Sequence, residues 1–283
     1  RVVGSTFDDV SLIGPMEYSF GKLWIDPLAR GASRFQYTAR RDCGSLDRHG
    51  SFKVDAKHKK IQQTTGRSYP KYCVAPKRGG EPWSLDGLNS GEIKDQCSKY
   101  VAYDRGHLVP ANHFDHDKKI ITETNLMINI LPQASKMNRG AWLETEMITE
   151  CLREEEVLTV LGGAVYPASP EGSTEAEFFR KSHGVVTPTH FWKIIAAKPT
   201  GRYAADNGLI AFWMPNSDVA AAKRTSEYVV SISELEENLA QAGFRGGGRG
   251  WPSRSAAEVF DLPQSVKDHV PSFWGTLEGC DRS

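Results

Sequence analysis

The sequence predicts an α+β fold with one mixed central β-sheet and flanking helices. The chain has 283 residues, of which 39% are hydrophobic and 25% are charged, as in ordinary globular domains. Two segments, beginning at residues 138 and 231, space their apolar residues as helices do. Short apolar runs typical of core strands recur at residues 125–131, 157–165, 190–196 and 209–214.

The first hundred residues contain the weakest structural signals. Residues 1–30 mix Gly, Pro and apolar positions without a clear period, and they predict an N-terminal arm or an edge element. Alternating apolar and polar residues at 35–38 and 51–54 predict strands. Residues 61–98 are rich in Gly, Pro, Lys and Ser and predict a long loop, which in compact domains is often functional.

The remaining elements are better defined. Pro132 is predicted to end the strand at 125–131, and Asn138, a favoured N-cap residue, begins the next helix. Ser231 with early glutamates starts a helix through 242. The Gly-rich residues 245–250 predict a flexible linker, followed by a short helix within 255–269. We therefore divide the chain into an arm (1–30), a core domain (31–244) and a C-terminal extension (245–283).

Charge is unevenly distributed along the chain. The net charge is zero, from 35 basic and 35 acidic residues, which alone argues against a nucleic-acid partner. Residues 30–78, however, contain thirteen Lys or Arg and three acids, a local charge of +10. This segment is either a surface that faces phosphates or a solvated face balanced by acidic helices. The five cysteines form no CxxC pair, which excludes a zinc ribbon, and no apolar run is long enough to span a bilayer.

The densest chemistry lies in Asp104-Arg105-Gly106-His107. Arg can bind a phosphate through two parallel hydrogen bonds, and a neutral His can accept a proton from water near pH 7. Gly106 permits a tight backbone between them.

A second constellation follows at Asn129 and Asn138, with Trp142 and Glu146 four and eight residues after Asn138. On a helix, the last three lie on one face. A carboxamide oxygen is a hard, neutral ligand that suits Mg²⁺, and a nearby carboxylate can orient the waters around the ion. Trp142 is predicted to be a core residue that supports this helix.

These motifs resemble a known family. DRGHLVPANH, NILPQ and MNRGAW with a Glu four residues after the Trp, together with TPTHFWK and MPN further on, are similar to the DNA/RNA non-specific endonucleases. Those enzymes have a ββα-metal (His-Me finger) site, and the endonuclease G branch is the most similar. The resemblance covers about residues 100–244.

The resemblance implies a role for each motif residue. His107 is the expected general base, Asn138 the one direct protein ligand of Mg²⁺, and Glu146 the residue that orients the metal's waters. Asn129 is expected to place the water shell or the scissile phosphate, and Arg105 to lie near the phosphate. Asp104, Gly106 and Trp142 are supporting residues, and Lys77 or Arg78 could supply a further phosphate contact that no motif fixes.

The implied function is Mg²⁺-dependent, sugar-nonspecific cleavage of DNA and RNA to 5′-phosphate and 3′-hydroxyl ends, with Mn²⁺ able to substitute. Members of this branch are commonly homodimeric and often mitochondrial, and a protein inhibitor is a further partner to consider. A secreted or periplasmic location stays open, because other branches are exported.

Two other functions fit parts of the sequence. His107, His113 and His116 could form a zinc hydrolase site, although their spacing matches no common zinc motif. Alternatively, the chain could be a catalytically silent nucleic-acid-binding protein that keeps the nuclease fold. The presence of both His107 and Asn138 argues against the silent protein.

Overall fold

The computed structural model describes residues 13–26, 29, 31–40, 103–114, 117–167, 186–221, 224–244 and 261–275. Its largest element is a seven-stranded sheet in the order β1-β2-β3-β6-β7-β8-β9. Every neighbouring pair in this sheet is antiparallel. The strands are β1 (Ile13–Tyr18), β2 (Gly21–Asp26), β3 (Gly31–Ala39), β6 (Leu158–Val165), β7 (His190–Ala196), β8 (Leu209–Pro215) and β9 (Val229–Val230).

A second, two-stranded sheet carries the motif residues. It pairs β4 (Tyr103–His107) with β5 (Ile130–Ala134) in antiparallel register. The helices in chain order are α1 (Lys118–Thr124), α2 (Ser135–Met137), the π-helical turn Asn138–Trp142, α3 (Leu143–Leu152), α4 (Ile232–Gln241) and α5 (Gln264–Lys267). Residues 135–152 form one helical run, here called the kinked helix.

The large sheet buries both of its faces. The face with Phe35, Phe191 and Phe212 packs against the two-stranded sheet and the kinked helix in the larger hydrophobic cluster. The opposite face packs Trp192 and Ile194 against α4 in a smaller cluster. Side chains alternate between the faces of a strand, which explains why the continuous apolar runs at β7 and β8 are buried on both sides. The predicted α+β class, with a central sheet and flanking helices, is confirmed.

Several elements match their predictions closely. The strands predicted at 35–38, 157–165, 190–196 and 209–214 are present as β3, β6, β7 and β8. Helix α4 begins as predicted, because the Ser231 hydroxyl caps it by accepting the Glu234 backbone N–H at 3.0 Å. The predictions at 51–54 and 61–98 lie outside the described residues.

Residues 13–26 are part of the central sheet and do not form a detached arm. Strands β1 and β2 belong to the central sheet, with β1 at its edge, so a boundary at residue 31 would cut the sheet. The edge element, one of the two alternatives for residues 1–30, is therefore what residues 13–26 form.

The strand predicted at 125–131 is shifted along the chain. Met127–Asn129 form a 3₁₀ turn, and β5 runs from Ile130 through Pro132 to Ala134. The prediction that Pro132 ends the strand was wrong. A two-stranded sheet consists of edge strands, and an edge strand tolerates a residue without a backbone N–H.

None of the helices in the described ranges is both long and apolar enough to cross a membrane.

Candidate active site

The β4–β5 pair brings the two halves of the motif together. Asp104 lies opposite Gln133, Arg105 opposite Pro132 and His107 opposite Ile130. Gly106 is required here for space, because a Cβ at this position would overlap the Gln133 side chain. The sequence predicted a tight backbone at Gly106, whereas the structure places it in a regular strand under a packed glutamine.

Asn138 lies inside the kinked helix, one turn after its start. Its backbone is helical (φ −57°, ψ −43°), so the predicted N-cap role is wrong. The kink follows at Gly140, where φ is −117° and ψ is −110°. The π-helical turn from Asn138 to Trp142 is a rare local structure that is frequent at functional sites.

The Asn138 amide is oriented by Asp104. Asn138 Nδ2 donates to Asp104 Oδ2 at 3.1 Å. An ionised carboxylate only accepts hydrogen bonds, so the amide nitrogen must face Asp104 and the amide oxygen must point away from it. No described residue donates to that oxygen. Arg139 holds Asp104 in place through two hydrogen bonds, at 2.7 Å from Nε and 2.5 Å from the terminal nitrogen.

The His107 ring is oriented by Asn125. His107 Nε2 lies 2.9 Å from Asn125 Oδ1, and Asn125 Nδ2 donates to the Ile121 carbonyl at 2.9 Å. Because the amide oxygen of Asn125 is the acceptor, Nε2 carries the proton and Nδ1 keeps its lone pair. Burial lowers the pKa of His107, and the hydrogen bond to Asn125 raises it by less. The ring is therefore neutral near pH 7, the state that a general base needs.

Trp142 joins strand β4 to the kinked helix. Its indole N–H donates to the His107 carbonyl at 3.2 Å, and the side chain is fully buried. Together with the Asn138–Asp104 contact, this bond fixes the helix against β4 at two points. The strand–strand–helix unit thus places a neutral histidine and an oriented amide oxygen on two elements that are in direct contact.

Comparison with known proteins identifies the family. The family model for DNA/RNA non-specific endonucleases matches residues 22–245, well over half of the chain. The chain belongs to this family. The matched range includes β2 and β3 as well as the β4–β5 unit and the kinked helix, so the family resemblance predicted from residues 100–244 is confirmed over a longer range.

The curated relatives are nucleases. The chain is 28% identical to "Nuclease EXOG, mitochondrial" of Mus musculus, over 59% of this chain and 45% of the relative. It is 27% identical to "Endonuclease G, mitochondrial" of Bos taurus, over 62% of this chain and 67% of the relative. The EndoG/EndoGI complex structure matches with a TM-score of 0.49 and 17% identity, over 84% of this chain and 86% of that chain. The match spans about half the length of the EXOG relatives. Their printed names agree with the nuclease and the mitochondrial location predicted from the sequence.

Glu146 lies two turns after Asn138 and is half-buried. Burial raises the pKa of Glu146 to about 7, although the Lys193 charge and a hydrogen bond from Trp142 favour the ionised form. A carboxyl with a pKa near neutrality is typical of a functional site. The position is compatible with the predicted role near the metal.

Asn129 has a different placement from the one predicted. Its side chain is fully buried, its oxygen accepts the Val109 N–H at 3.0 Å, and its nitrogen donates to the Val109 and Thr124 carbonyls at 2.8 Å each. These bonds tie the segment after β4 to the segment before β5. The burial does not support direct contact with a metal's water shell or a phosphate, and Asn129 instead braces the end of strand β4.

The zinc alternative finds no support in this geometry. His113 uses both ring nitrogens, one with the Tyr37 hydroxyl at 2.9 Å and one with the Glu146 carbonyl at 3.0 Å. Among the residues that the structure describes, no group of three His, Cys, Asp or Glu side chains could hold a metal ion. His116, like Lys77 and Arg78, lies outside the described residues.

Three residues near the site were not predicted from the sequence. Arg139 follows Asn138 directly within the MNRGAW motif, so it had a local signal in the sequence. Lys193 ends the TPTHFWK motif, but no role was inferred for it, and Asn125 had no signal. Only the tertiary fold brings Asn125 to His107 and Lys193 to the kinked helix.

Proposed function

We propose that this protein is a Mg²⁺-dependent endonuclease that hydrolyses phosphodiester bonds in DNA and RNA without regard to the sugar. The observation that carries the proposal is the Asn138 amide, whose nitrogen is committed to Asp104 while its oxygen accepts no bond from any described residue. The family membership supports a nuclease, and the amide geometry supports a divalent cation as its cofactor.

The residues present fit a hard divalent cation. A carboxamide oxygen is a ligand type that Mg²⁺ accepts, and a site with one protein ligand leaves positions for water. When bound, the cation would neutralise negative charge on the phosphate in the transition state. Mn²⁺ should substitute, because it also prefers oxygen ligands. Asn138 would hold the cation directly, and Glu146 would orient the surrounding water.

His107 would act as the general base. Its Nδ1 keeps a lone pair, and Nε2–H remains bound to Asn125 while Nδ1 takes a proton from the attacking water. In-line attack on the phosphorus breaks the bond to the 3′ oxygen, which takes up a proton from solvent water, and this gives 5′-phosphate and 3′-hydroxyl ends. Burial lowers the pKa of His107, so the base stays neutral well into the acid range. The acidic limb of the pH profile is therefore set first by Glu146, whose carboxyl has a pKa raised to about 7 and orients the water when ionised.

Arg105 would contribute to the phosphate side of the site. It lies on β4, and side chains two residues apart in a strand share a face, so Arg105 and His107 lie on the same side. Contacts to the phosphate backbone carry no sequence information, which fits a non-specific enzyme. A homodimer, a mitochondrial location and a protein inhibitor as partner remain predictions from the family resemblance and from the names of the relatives.

A cleavage assay with two substitutions tests this function. Circular double- and single-stranded DNA and RNA are incubated with Mg²⁺, Mn²⁺ or EDTA. We expect His107→Ala to lose about 100-fold or more in rate, since positioned bases contribute roughly 10²–10⁴-fold, while Mn²⁺ binding measured by electron paramagnetic resonance is retained. Asn138→Ala should lose Mn²⁺ binding and cleavage together.

His190→Ala is the matched control, because His190 stacks on Trp213 and contacts neither β4 nor the kinked helix through a described hydrogen bond. It should cleave as the wild type does. Wild-type protein that binds DNA but never nicks it with Mg²⁺ would instead identify a silent binding protein. Strong cleavage by His107→Ala at neutral pH would contradict the role of His107.

A further inference from the structure

A lysine of the central sheet is enclosed beneath the kinked helix. Lys193 on β7 is fully buried, and its ammonium donates to the Thr145 hydroxyl at 2.7 Å. The same ammonium lies 3.7 Å from the centroid of the Trp142 ring, a cation–π contact. Lysine is almost never fully buried unless it is paired, because removing an ammonium from water is costly. The position therefore needs a reason beyond filling space.

The Glu146 carboxylate is the neighbouring charge that interacts electrostatically with Lys193. Burial lowers the pKa of Lys193 to about 8, and the Glu146 carboxylate raises it. The titratable groups around this pair are Tyr37 from β3, His113 from the turn before α1 and Arg153 at the end of the kinked helix. Tyr37 and His113 are neutral near pH 7, because burial moves the pKa of each away from the charged form. Arg153 acts on Tyr37 and His113, whereas Lys193 is the cation that acts on the Glu146 carboxyl.

A gain in stability is a weak explanation for burying Lys193 near Glu146. Replacing a buried ion pair with apolar residues of similar volume is often neutral or stabilising. A second enclosed lysine of this chain, Lys267, makes direct contacts of 3.1 Å to both carboxylate oxygens of Glu236 and links α5 to α4. Lys193 instead binds a hydroxyl and a ring, and in the described part of the chain it contacts no carboxylate within ion-pair distance. Its charge is directed at the helix that carries Asn138 and Glu146.

We propose that Lys193 is a positioning residue for the nuclease reaction. It acts on the kinked helix through Thr145 and Glu146, and on strand β4 through Trp142, whose indole N–H donates to the His107 carbonyl. Lys193 is buried and touches no reacting atom, so its effect is on geometry and on the charge of Glu146. This inference rests on the proposed function.

The test compares Lys193→Met with Lys193→Arg in Mg²⁺-dependent cleavage of one labelled oligonucleotide, over a range of pH. We expect kcat of Lys193→Met to fall about 10- to 100-fold, the range for residues that support a metal site, with KM changed less than about twofold because the substrate surface is intact. The Lys193 ammonium lowers the pKa of Glu146, so its removal should raise that pKa. The acidic limb of the pH profile should therefore move to higher pH by about one pH unit. Lys193→Arg keeps the charge and should recover the acidic limb.

Lys267→Met is the matched control for the loss of a buried lysine. It should lower thermal stability while kcat and the pH profile stay those of the wild type. The Glu146→Gln background provides a second control, since the pH shift caused by Lys193→Met should vanish there. If Lys193→Met does not fold, Thr145→Val takes its place, because it removes only the hydroxyl partner and should lower kcat in the same direction.

Two results would overturn the inference about Lys193. One is a folded Lys193→Met or Thr145→Val enzyme with wild-type kcat and pH profile. The other is an equal loss of kcat in Lys267→Met. A wild-type protein that shows no Mg²⁺-dependent cleavage would contradict the proposed function instead, so the two failures are distinguishable.

Discussion

Asp104 and Asp206 are two aspartates that each collect several hydrogen bonds, at opposite ends of strand β8. Asp104 lies beside the start of the kinked helix, near Asn216, which follows β8 and binds the backbone at Ala134 and Pro132. Asp206 lies before β8, at the far end of the sheet. Both side chains are nearly buried, but they organise different parts of the molecule.

The partners of the two aspartates show what each one does. Asp104 binds Asn138 and Arg139, which are adjacent residues of one helix. Asp206 binds four donors, all from the C-terminal segment: the His269 ring, the Ser272 backbone N–H and hydroxyl, and the Trp274 indole. The first aspartate orients a single amide group. The second fastens a chain segment, and Trp274 packs on Tyr203 with ring centroids 5.0 Å apart. Hydrogen bonding to a carboxylate thus serves the proposed active site at one end and tertiary attachment at the other.

The largest effect is expected when Asp104 is replaced by Asn. An amide at 104 can donate as well as accept, so Asp104→Asn no longer forces the Asn138 oxygen away from β4. We expect Mn²⁺ affinity to fall about 10- to 100-fold, as for other residues that orient a metal ligand. Titration calorimetry or electron paramagnetic resonance measures this directly, and saturating metal should restore part of the cleavage.

Asp218→Asn is the nearby control for this measurement. Asp218 pairs at 3.5 Å with Lys136, which is on the kinked helix but exposed, and it does not touch Asn138. Its metal affinity should equal that of the wild type. Equal affinities for Asp104→Asn and the wild type would show that the helix orients Asn138 without Asp104.

The two regions also differ in how much of them the sequence predicts. At the site, His107, Asn138 and Glu146 were predicted from motifs, because the residues with proposed chemical roles stand at fixed local spacings. The way they are held was not predictable. Asn125 is 18 residues from His107 in the chain, and Lys193 is 48 residues from Thr145. Pairing over such separations is decided by how the sheet and helix pack, which no local pattern records.

Strand prediction failed where pairing overrides local preference. The runs at β7 and β8 are continuous and apolar, so their burial on two faces was visible in the sequence. Strand β5 contains Pro132, which locally predicts a strand end, but its position opposite Arg105 needs no N–H from it. The attachment of residues 261–275 was open from sequence, because the donors to Asp206 are polar residues without a repeat.

The next largest effect is expected at Asp206 itself. Burial raises the pKa of Asp206, but the hydrogen bonds from Ser272, Trp274 and His269 outweigh it and lower the pKa to about 2, from 3.8. The folded state is therefore stabilised by this carboxylate above about pH 4, and that contribution is lost as the pH falls towards 2. Asp206→Asn should lower the free energy of unfolding at pH 7 by about 2 kcal/mol, typical for bonds to a charged group.

Chemical denaturation of wild type and Asp206→Asn at pH 7 and at acid pH measures this effect. Metal affinity and kcat should be unchanged, the reverse of the result for Asp104→Asn. Equal free energies of unfolding for the wild type and Asp206→Asn at pH 7 would contradict the attachment role of Asp206. A loss of metal binding in Asp206→Asn would contradict the separate roles of the two aspartates.

The smallest expected effect concerns helix α4, which the C-terminal segment contacts through hydrogen bonds. Ser233 on this helix donates to Asp268, and Ser231 caps its first turn by accepting the Glu234 N–H at 3.0 Å. Replacing an N-cap serine by alanine costs about 1 kcal/mol. Ser231→Ala should therefore unfold at a lower denaturant concentration with the same denaturant dependence, while the cleavage rate stays that of the wild type. A fall in cleavage rate larger than the loss of folded protein explains would show that α4, on the opposite face of the sheet, is coupled to the kinked helix. The two regions would then act as one mechanical unit.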